Sequence, residues 1–242
     1  MRREWIDWNC RLLPGMREGT ESAEEAIALL RKLKEDSGIL RFCMMPQFDP
    51  AQESVRAFLL RRQNAKERLM EALPEKIYIR VCAAMLLSEG CSELQGLEKL
   101  TLLPGLLPLR PPIAAWTDWM DKEMNHLLFR RRLTPLFLSF ELSTILYSNE
   151  IVLKMMRIPN AAFQFSFRSL TDPAVCRIIH TLLQENHTVL LGSGIRHQQK
   201  AEDYDIAHYL FRAEDHLSPA DRNTLLNSNI SFWKKSDHSF SR

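Results

Sequence analysis

Polar side chains at the end of a short apolar strand mark one candidate site, in residues 6–19 of the chain. The strand runs into a turn at Pro14-Gly15, and an acidic helix start follows. In an α/β enzyme, the carboxyl end of such a strand usually carries ligands or catalytic groups. Here the positions expected to face a site hold Asn9, Arg11 and Arg17. The stretch therefore has the layout of an active-site entry without its usual chemistry.

Short apolar runs alternate with amphipathic segments along the rest of the chain. The runs predict strands at 39–45, 76–84, 106–110, 134–141, 161–167 and 188–191. Helices are predicted at 20–37, 52–73, 116–131, 149–156, 172–185 and 204–212, and a last one from 218. This alternation predicts an α/β fold with a mostly parallel sheet, and the count favours a closed or nearly closed barrel. We expect a single barrel domain over 1–233 and a polar tail over 234–242.

Helix termini support this division into elements. Thr20 or Ser22 can cap the helix at 20–37, and Ser37-Gly38 ends it. Asp172 with Pro173 gives the helix at 172–185 a defined start. These signals fix where the connecting loops fall, and the candidate site lies in the first of them.

Composition excludes several classes of function. The 242 residues carry 32 basic and 30 acidic side chains, a net charge of +2, which gives no basic footprint for nucleic acid. No run approaches the ~18 apolar residues of a membrane span, and no apolar core follows the basic start, so we expect a cytoplasmic protein. The five cysteines are dispersed without a Cys-x-x-Cys pair, which indicates buried free thiols rather than disulfides or a zinc site.

The opening motif resembles that of a known family. In the polymerase-and-histidinol-phosphatase superfamily, the bacterial tyrosine phosphatases encoded with capsular and exopolysaccharide genes begin approximately Ile-Asp-x-His-Cys-His-x-Leu-Pro-Gly-x-Asp-Asp-Gly. In this chain Ile6-Asp7, Cys10, Leu13-Pro14-Gly15 and Gly19 match in register. Weaker matches follow at Met45-Pro46-Gln47, where the family has Thr-Pro-His, and at 192–196, where it has Ser-Asp-Ala-His. The likeness extends through most of the chain.

The resemblance implies a fold, a cofactor and a partner. The family is similar in fold to a distorted (β/α)₇ barrel of the polymerase-and-histidinol-phosphatase type. Its His, Asp and Glu side chains hold two or three divalent metals, often manganese, that activate water against a phosphate ester. Active members dephosphorylate the C-terminal tail of a bacterial tyrosine kinase. A kinase of this kind, or its phosphorylated tail, is accordingly the expected partner.

The family's metal-ligand positions are altered in this chain. Transferred one position at a time, the ligand positions correspond to Asn9, Arg11, Arg17, Gln47, Leu86, Ser139, Gly194 and Arg196. Glu18 retains the second acid of the first motif, and Glu141 lies in the strand that ends His-Pro-Glu-Arg in the family. The register is loosest at Leu86, where Glu89 supplies an acid in a shifted alignment.

A metal centre of the family's type is not expected. The first histidine of the chain is His126, so the N-terminal half can supply no imidazole ligand. Asn and Gln are poor ligands for such metals, and arginine cannot lose its proton to become one. We therefore predict a chain with no metal cofactor and no intact catalytic residue.

Two hypotheses account for Arg11, Arg17 and Arg196. In the first, they pair with remaining carboxylates such as Glu18, Glu141 or Asp7 and fill the vacated cavity. In the second, their guanidinium groups form a metal-free pocket for an anion, since an arginine fork binds phosphate or carboxylate with two hydrogen bonds. Arg110 and Arg168, at the ends of other predicted strands, are candidates to join that pocket.

The sequence leaves three functional alternatives open. The leading prediction is a catalytically degenerate relative of the capsular tyrosine phosphatases that binds or regulates a partner. The second is a phosphoric-ester hydrolase with a rebuilt site, using Cys10 or a triad of Ser193, His197 and Asp203. The third is a structural subunit of an oligomer.

Overall fold

A computed structural model describes residues 5–73, 76–112, 115–138, 149–196 and 205–237 of the chain. Nine strands lie in this part of the chain: β1 Ile6–Cys10, β2 Arg41–Met44, β3 Gln47–Phe48, β4 Tyr78–Val81, β5 Ala84–Leu86, β6 Leu106–Arg110, β7 Thr134–Leu138, β8 Ala162–Ser166 and β9 Thr188–Gly192. The seven α-helices of the same ranges are α1 Ala23–Ser37, α2 Val55–Glu71, α3 Asp118–Asn125, α4 Asn149–Met156, α5 Pro173–Gln184, α6 Ile206–Arg212 and α7 Pro219–Asp237.

All the strand ladders between these strands are parallel. One sheet has the order β1-β2-β4, and a second has the order β3-β5-β6-β7-β8-β9. Each crossover between parallel neighbours needs a return segment, and helices or turns supply it. The predicted α/β class with parallel strands is confirmed.

The first and last strands lie side by side. Gly194 N donates to Asn9 O at 2.8 Å, and Arg11 N donates to Ile195 O at 2.9 Å. These bonds join the end of β1 to the residues after β9, as a barrel requires. The ladder pairings nevertheless form two sheets rather than one ring, so a fully closed barrel stays a prediction.

Helix termini follow the sequence signals closely. Ser22 caps α1 by accepting from Glu25 N at 3.2 Å, and Gly38 ends the helix with φ of 74°. Thr20, the other candidate cap, instead donates its hydroxyl to Leu12 O at 3.0 Å. At α5, Asp172 accepts from Ala174 N, and Pro173 occupies the first turn. Local side-chain chemistry was enough to locate these boundaries.

Two buried apolar clusters lie on opposite faces of the strands. The larger packs strand side chains such as Phe42 and Phe163 against the helices, including Leu30 of α1. The smaller gathers Trp8 of β1 with Trp233 of α7 and with apolar residues of five other strands and three loops. Side chains alternate between the faces of a strand, so most strands contribute to both clusters, whereas β3 and β4 contribute only to the larger one.

The C-terminal region differs in extent from the predicted tail. Helix α7 continues to Asp237, whereas the tail was expected from residue 234. The division into a domain and a tail stays a prediction. Across the described ranges, no helix is both long and apolar enough to cross a membrane.

Candidate functional site

Most of the predicted site positions come together where the parallel strands end. Arg11 follows β1, Gln47 begins β3, Arg110 ends β6 and Arg196 follows β9. These residues are far apart in sequence, yet contacts through a single carboxylate connect most of them. The carboxyl ends of parallel strands are the usual place for ligands in α/β folds.

Glu18 is the centre of this arrangement. Arg11 Nη1 forms an ion pair with Glu18 Oε2, and Arg196 Nη1 lies 3.2 Å from Glu18 Oε1. Arg110 Nη1 is 3.9 Å from Glu18 Oε2. The Arg11 side chain is fully buried, whereas that of Glu18 is 23% exposed and that of Arg196 32% exposed. We call Arg11, Arg110, Arg196 and Glu18 the arginine cluster.

The neighbouring strands complete one side of the arginine cluster. Arg110 Nη1 also donates to Gln47 Oε1 at 2.6 Å, so the side chain at a position that the resemblance assigns to a metal ligand accepts a bond from a cation. Leu86 lies directly beside Arg110 in the β5–β6 register and is half-buried. Glu89, the alternative acid, is exposed in the turn after β5. The position assigned to Leu86 is thus adjacent to the cluster.

A polar contact between two strands holds the side chain of Asn9 in place. The β1–β2 register shifts between Asp7 and Cys10, which inserts an extra residue into β1. Asn9 Nδ2 donates to Gln164 Oε1 of β8 at 3.2 Å, and both side chains are fully buried. A Cβ on Gly192 would lie only 2.6 Å from Asn9 N and 2.9 Å from Gln164 Nε2. The glycine therefore permits the close approach of β9 to β1.

Asp7 is a second buried carboxylate, and it fixes the β9 loop. Its Oδ1 accepts from Ser193 N at 2.8 Å and from Asn9 N at 3.0 Å. Burial raises the pKa of Asp7 from 3.8 to about 6, although hydrogen bonds from Ser193 and Asn9 act in the opposite direction. Asp7 thus ties the first strand to the loop that carries Arg196.

The turn that presents Glu18 depends on close backbone contacts. Gly19 N donates to Met16 O at 2.8 Å, and a Cβ on Gly19 would lie 2.0 Å from Leu13 O. A side chain at this position would require the backbone at Leu13 to shift, so the turn depends on glycine. Arg68 of α2 reaches Pro14 O at 3.4 Å and braces the turn from outside.

Two of the predicted arginines lie away from the cluster. Arg17 is 55% exposed and its Nη1 lies 3.2 Å from Asp49 Oδ2, so its contact is with a different carboxylate. Arg168 is exposed in the short 3₁₀ turn Phe167–Thr171 after β8. Arg110, by contrast, joins the cluster as anticipated. Ser139, Glu141, His197 and Asp203 lie outside the described residues.

The residues proposed for a rebuilt catalytic site have unfavourable surroundings where they are described. Cys10 is fully buried, and burial raises the pKa of its thiol well above the ordinary value, so the thiolate is disfavoured. Ser193 is also buried, with its Oγ accepting from Ile195 N at 3.2 Å. The Cys10 thiol contacts Cys43 O of β2 at 3.7 Å, and the Ser193 hydroxyl bonds within its own loop, so neither group is presented to a ligand.

The donor set at the strand ends does not fit a divalent metal. The described positions offer two amides, an apolar side chain, a glycine and guanidinium groups, with Glu18 already bound by cations. A guanidinium beside the carboxylate would repel a metal cation. Within the described ranges, no three His, Cys, Asp or Glu side chains are grouped so as to hold a metal ion.

The sequence does not predict a place in the site for Gln164 or Asp49. The sequence predicts Gln164 to lie in a strand and indicates no role for it. Its amide stands between apolar neighbours in β8, and such a position indicates a buried polar contact. Asp49 lies in the loop after β3, and nothing in the sequence connected it to Arg17. Only the folded structure places Asp49 beside Arg17.

Comparison with solved structures supports the fold. The chain superposes with a TM-score of 0.72 on a structure from work on YwqE of Bacillus subtilis and CpsB of Streptococcus pneumoniae, described as unique metal-dependent tyrosine phosphatases. The match covers 95% of this chain and 94% of the other at 14% identity. No protein-family model and no curated protein matches the chain. The predicted likeness to these phosphatases is thus confirmed at the level of the fold.

Proposed function

We propose that this chain, which shares its fold with metal-dependent tyrosine phosphatases, is a catalytically degenerate relative that binds a phosphate monoester through arginines and does not hydrolyse it. The observation that carries this proposal is the contact of Glu18 with Arg11 and Arg196, with Arg110 at 3.9 Å. Cations stand where the family resemblance expects metal ligands. A guanidinium group binds phosphate oxygens directly and needs no metal to do so.

The three guanidinium groups of the arginine cluster converge on one point, which favours an anionic ligand. Among the described residues, three guanidinium groups surround the one carboxylate of Glu18. A phosphate monoester carries about −1.5 to −2 charge at pH 7 and offers three acceptor oxygens. Its phosphoryl group therefore suits the cluster better than a single carboxylate does.

The proposed ligand is a phosphotyrosine in a protein segment. The fold is that of proteins described as tyrosine phosphatases, and the arginine cluster lies at the strand ends where such folds bind ligands. The tail of a bacterial tyrosine kinase is the first candidate partner, by the family resemblance. Binding without hydrolysis would shield that tail from active phosphatases and so regulate the kinase.

Calorimetric titration of O-phosphotyrosine into chelator-treated protein tests the proposal. We expect saturable binding in the absence of metal, weakened about tenfold or more by Arg196→Ala. Arg17→Ala is the matched control, because Arg17 is paired with Asp49 outside the cluster. The wild-type protein showing no affinity for the ligand would contradict the proposal.

A rebuilt hydrolase is the alternative, and it is separable by experiment. It requires turnover of p-nitrophenyl phosphate in the presence of chelator, with loss of that turnover in Ser193→Ala. We expect no such turnover, because burial raises the pKa of the Cys10 thiol and the Ser193 hydroxyl already accepts a bond from Ile195 N.

A further inference from the structure

Glu18 contacts the guanidinium groups of the arginine cluster with both of its carboxylate oxygens. Arg11 binds Oε2, and Arg196 binds Oε1 at 3.2 Å. A phosphate would present a similar pair of oxygens to the same guanidinium groups. The carboxylate therefore occupies the positions that an incoming phosphoryl group must take.

The Glu18 side chain is the component of the cluster that can move. Its backbone is fixed in the turn by the bond from Gly19 N to Met16 O at 2.8 Å, with a left-handed φ of 62°. The side chain is partly exposed and has three rotatable bonds. Arg11 is fully buried at the end of β1. Rotation of Glu18 toward solvent would uncover Arg11 without moving the turn.

We propose that Glu18 is a built-in competing anion that occupies the arginine cluster in the resting protein and is displaced when a phosphate monoester binds. This inference rests on the proposed function, because the same arginines hold the ligand. Glu18 thereby lowers the affinity of the site for weak anions and selects ligands of higher charge. A monoanion brings no more charge than the carboxylate that it replaces, whereas a dianion is attracted more strongly to all three guanidinium groups.

Titration of phenyl phosphate into chelator-treated wild type and Glu18→Gln tests this inference. The variant keeps the shape of the side chain and removes its charge. We expect Glu18→Gln to bind phenyl phosphate at least about tenfold more tightly than wild type. Asp49→Asn is the matched control, because it removes a carboxylate paired with the neighbouring Arg17 outside the cluster. Its affinity is expected to stay within about twofold of wild type.

The possible outcomes separate the inference from the proposed function. If wild type binds phenyl phosphate and Glu18→Gln binds it equally or more weakly, the role proposed for Glu18 is overturned. The proposed function then stays intact. Binding by Glu18→Gln alone would support the role of Glu18 and contradict binding by the resting wild type. Failure of both proteins to bind would defeat both proposals.

A second variant covers the case in which Glu18→Gln does not fold. Glu18→Asp keeps the charge but shortens the side chain by one methylene, so it cannot reach Arg11 and Arg196 equally well. We expect Glu18→Asp to bind phenyl phosphate more tightly than wild type by a measurable factor. An affinity equal to that of wild type would overturn the inference.

Discussion

Arg11 and Glu18 form an ion pair in which the guanidinium side chain is fully buried and the carboxylate reaches solvent. The two residues are seven positions apart, at the end of β1 and in the turn after it. In the family resemblance these positions belong to metal ligands. A cation and an anion of this chain therefore bind each other at positions that the resemblance assigns to metal ligands.

Removing the charge of Glu18 should destabilise the fold in the absence of an anion. Glu18→Gln removes the charge that pairs with the buried guanidinium of Arg11, and removing one partner of a buried ion pair costs about 3 kcal/mol. Urea denaturation measures this loss. Added phosphate should restore part of it, because a ligand that binds only the native state stabilises it.

The double variant Arg11→Met/Glu18→Gln is the control for this destabilisation. It removes both charges, so its loss should be smaller than the sum of the single losses. Additive losses would show that Arg11 and Glu18 are not energetically coupled.

The Arg17–Asp49 pair should contribute little to stability. Both residues lie at the surface, with Arg17 more than half exposed. We expect Arg17→Ala to lower the free energy of unfolding by less than about 1 kcal/mol. Thermal denaturation of the Arg17→Ala and Arg196→Ala variants compares the two sites. If Arg17→Ala loses more stability than Arg196→Ala, the arginine that contributes more to stability lies outside the cluster.

Asp7 should make stability depend on pH between about 4 and 7. Its native pKa of about 6 exceeds the ordinary 3.8, so the native state binds a proton more tightly than the unfolded state does. The stabilisation is fully present below about pH 4 and is lost as the pH rises through about 6, by at most about 3 kcal/mol.

The Asp7→Asn variant isolates this effect from other titrating groups. The asparagine oxygen can still accept from Ser193 N and Asn9 N, but the side chain does not titrate. Urea midpoints from pH 4 to 7 should decline less in Asp7→Asn than in wild type. Asp118→Asn, at an exposed carboxylate of α3, should keep the wild-type slope. Identical slopes in all three proteins would contradict the assignment.

Gly192→Ala should be strongly destabilising. The added methyl would lie within 3 Å of Asn9 N, Asn9 Cβ and Gln164 Nε2, so β9 must move away from β1. We expect a loss of about 2–4 kcal/mol in urea denaturation. Gly38→Ala is the control, because its φ is positive but no atom lies within 4 Å of the new methyl. Gly38→Ala should lower the free energy of unfolding by about 1 kcal/mol. Equal losses of stability in the two variants would contradict a close approach at Gly192.

Local signals in the sequence predict most of the elements, although the run predicted as one strand at 76–84 forms β4 and β5, which lie in different sheets. Ser22, Gly38 and the Asp172-Pro173 pair marked helix ends that the structure confirms. These residues act through hydrogen bonds to their own backbone neighbours, so no knowledge of the fold was needed. The alternation of strands and helices likewise follows from side-chain periodicity.

The site was only partly predictable, because its contacts join distant segments. The sequence suggests Glu18, Glu141 and Asp7 as partners for Arg11 and Arg196, and the structure places both arginines against Glu18. Arg17 is adjacent in sequence to Glu18 but extends to Asp49. The partner of Asn9 depends on the extra residue in β1, whose register only the folded structure gives.

The claim that arginines stand in place of a metal site is tested most directly by manganese-dependent hydrolysis. The measurement is the rate of p-nitrophenyl phosphate hydrolysis by the full chain, with added Mn²⁺ and again with excess chelator. We predict that the rate in Mn²⁺ equals that of an enzyme-free control and that chelator changes nothing. A manganese-supported rate that chelator abolishes would contradict the account.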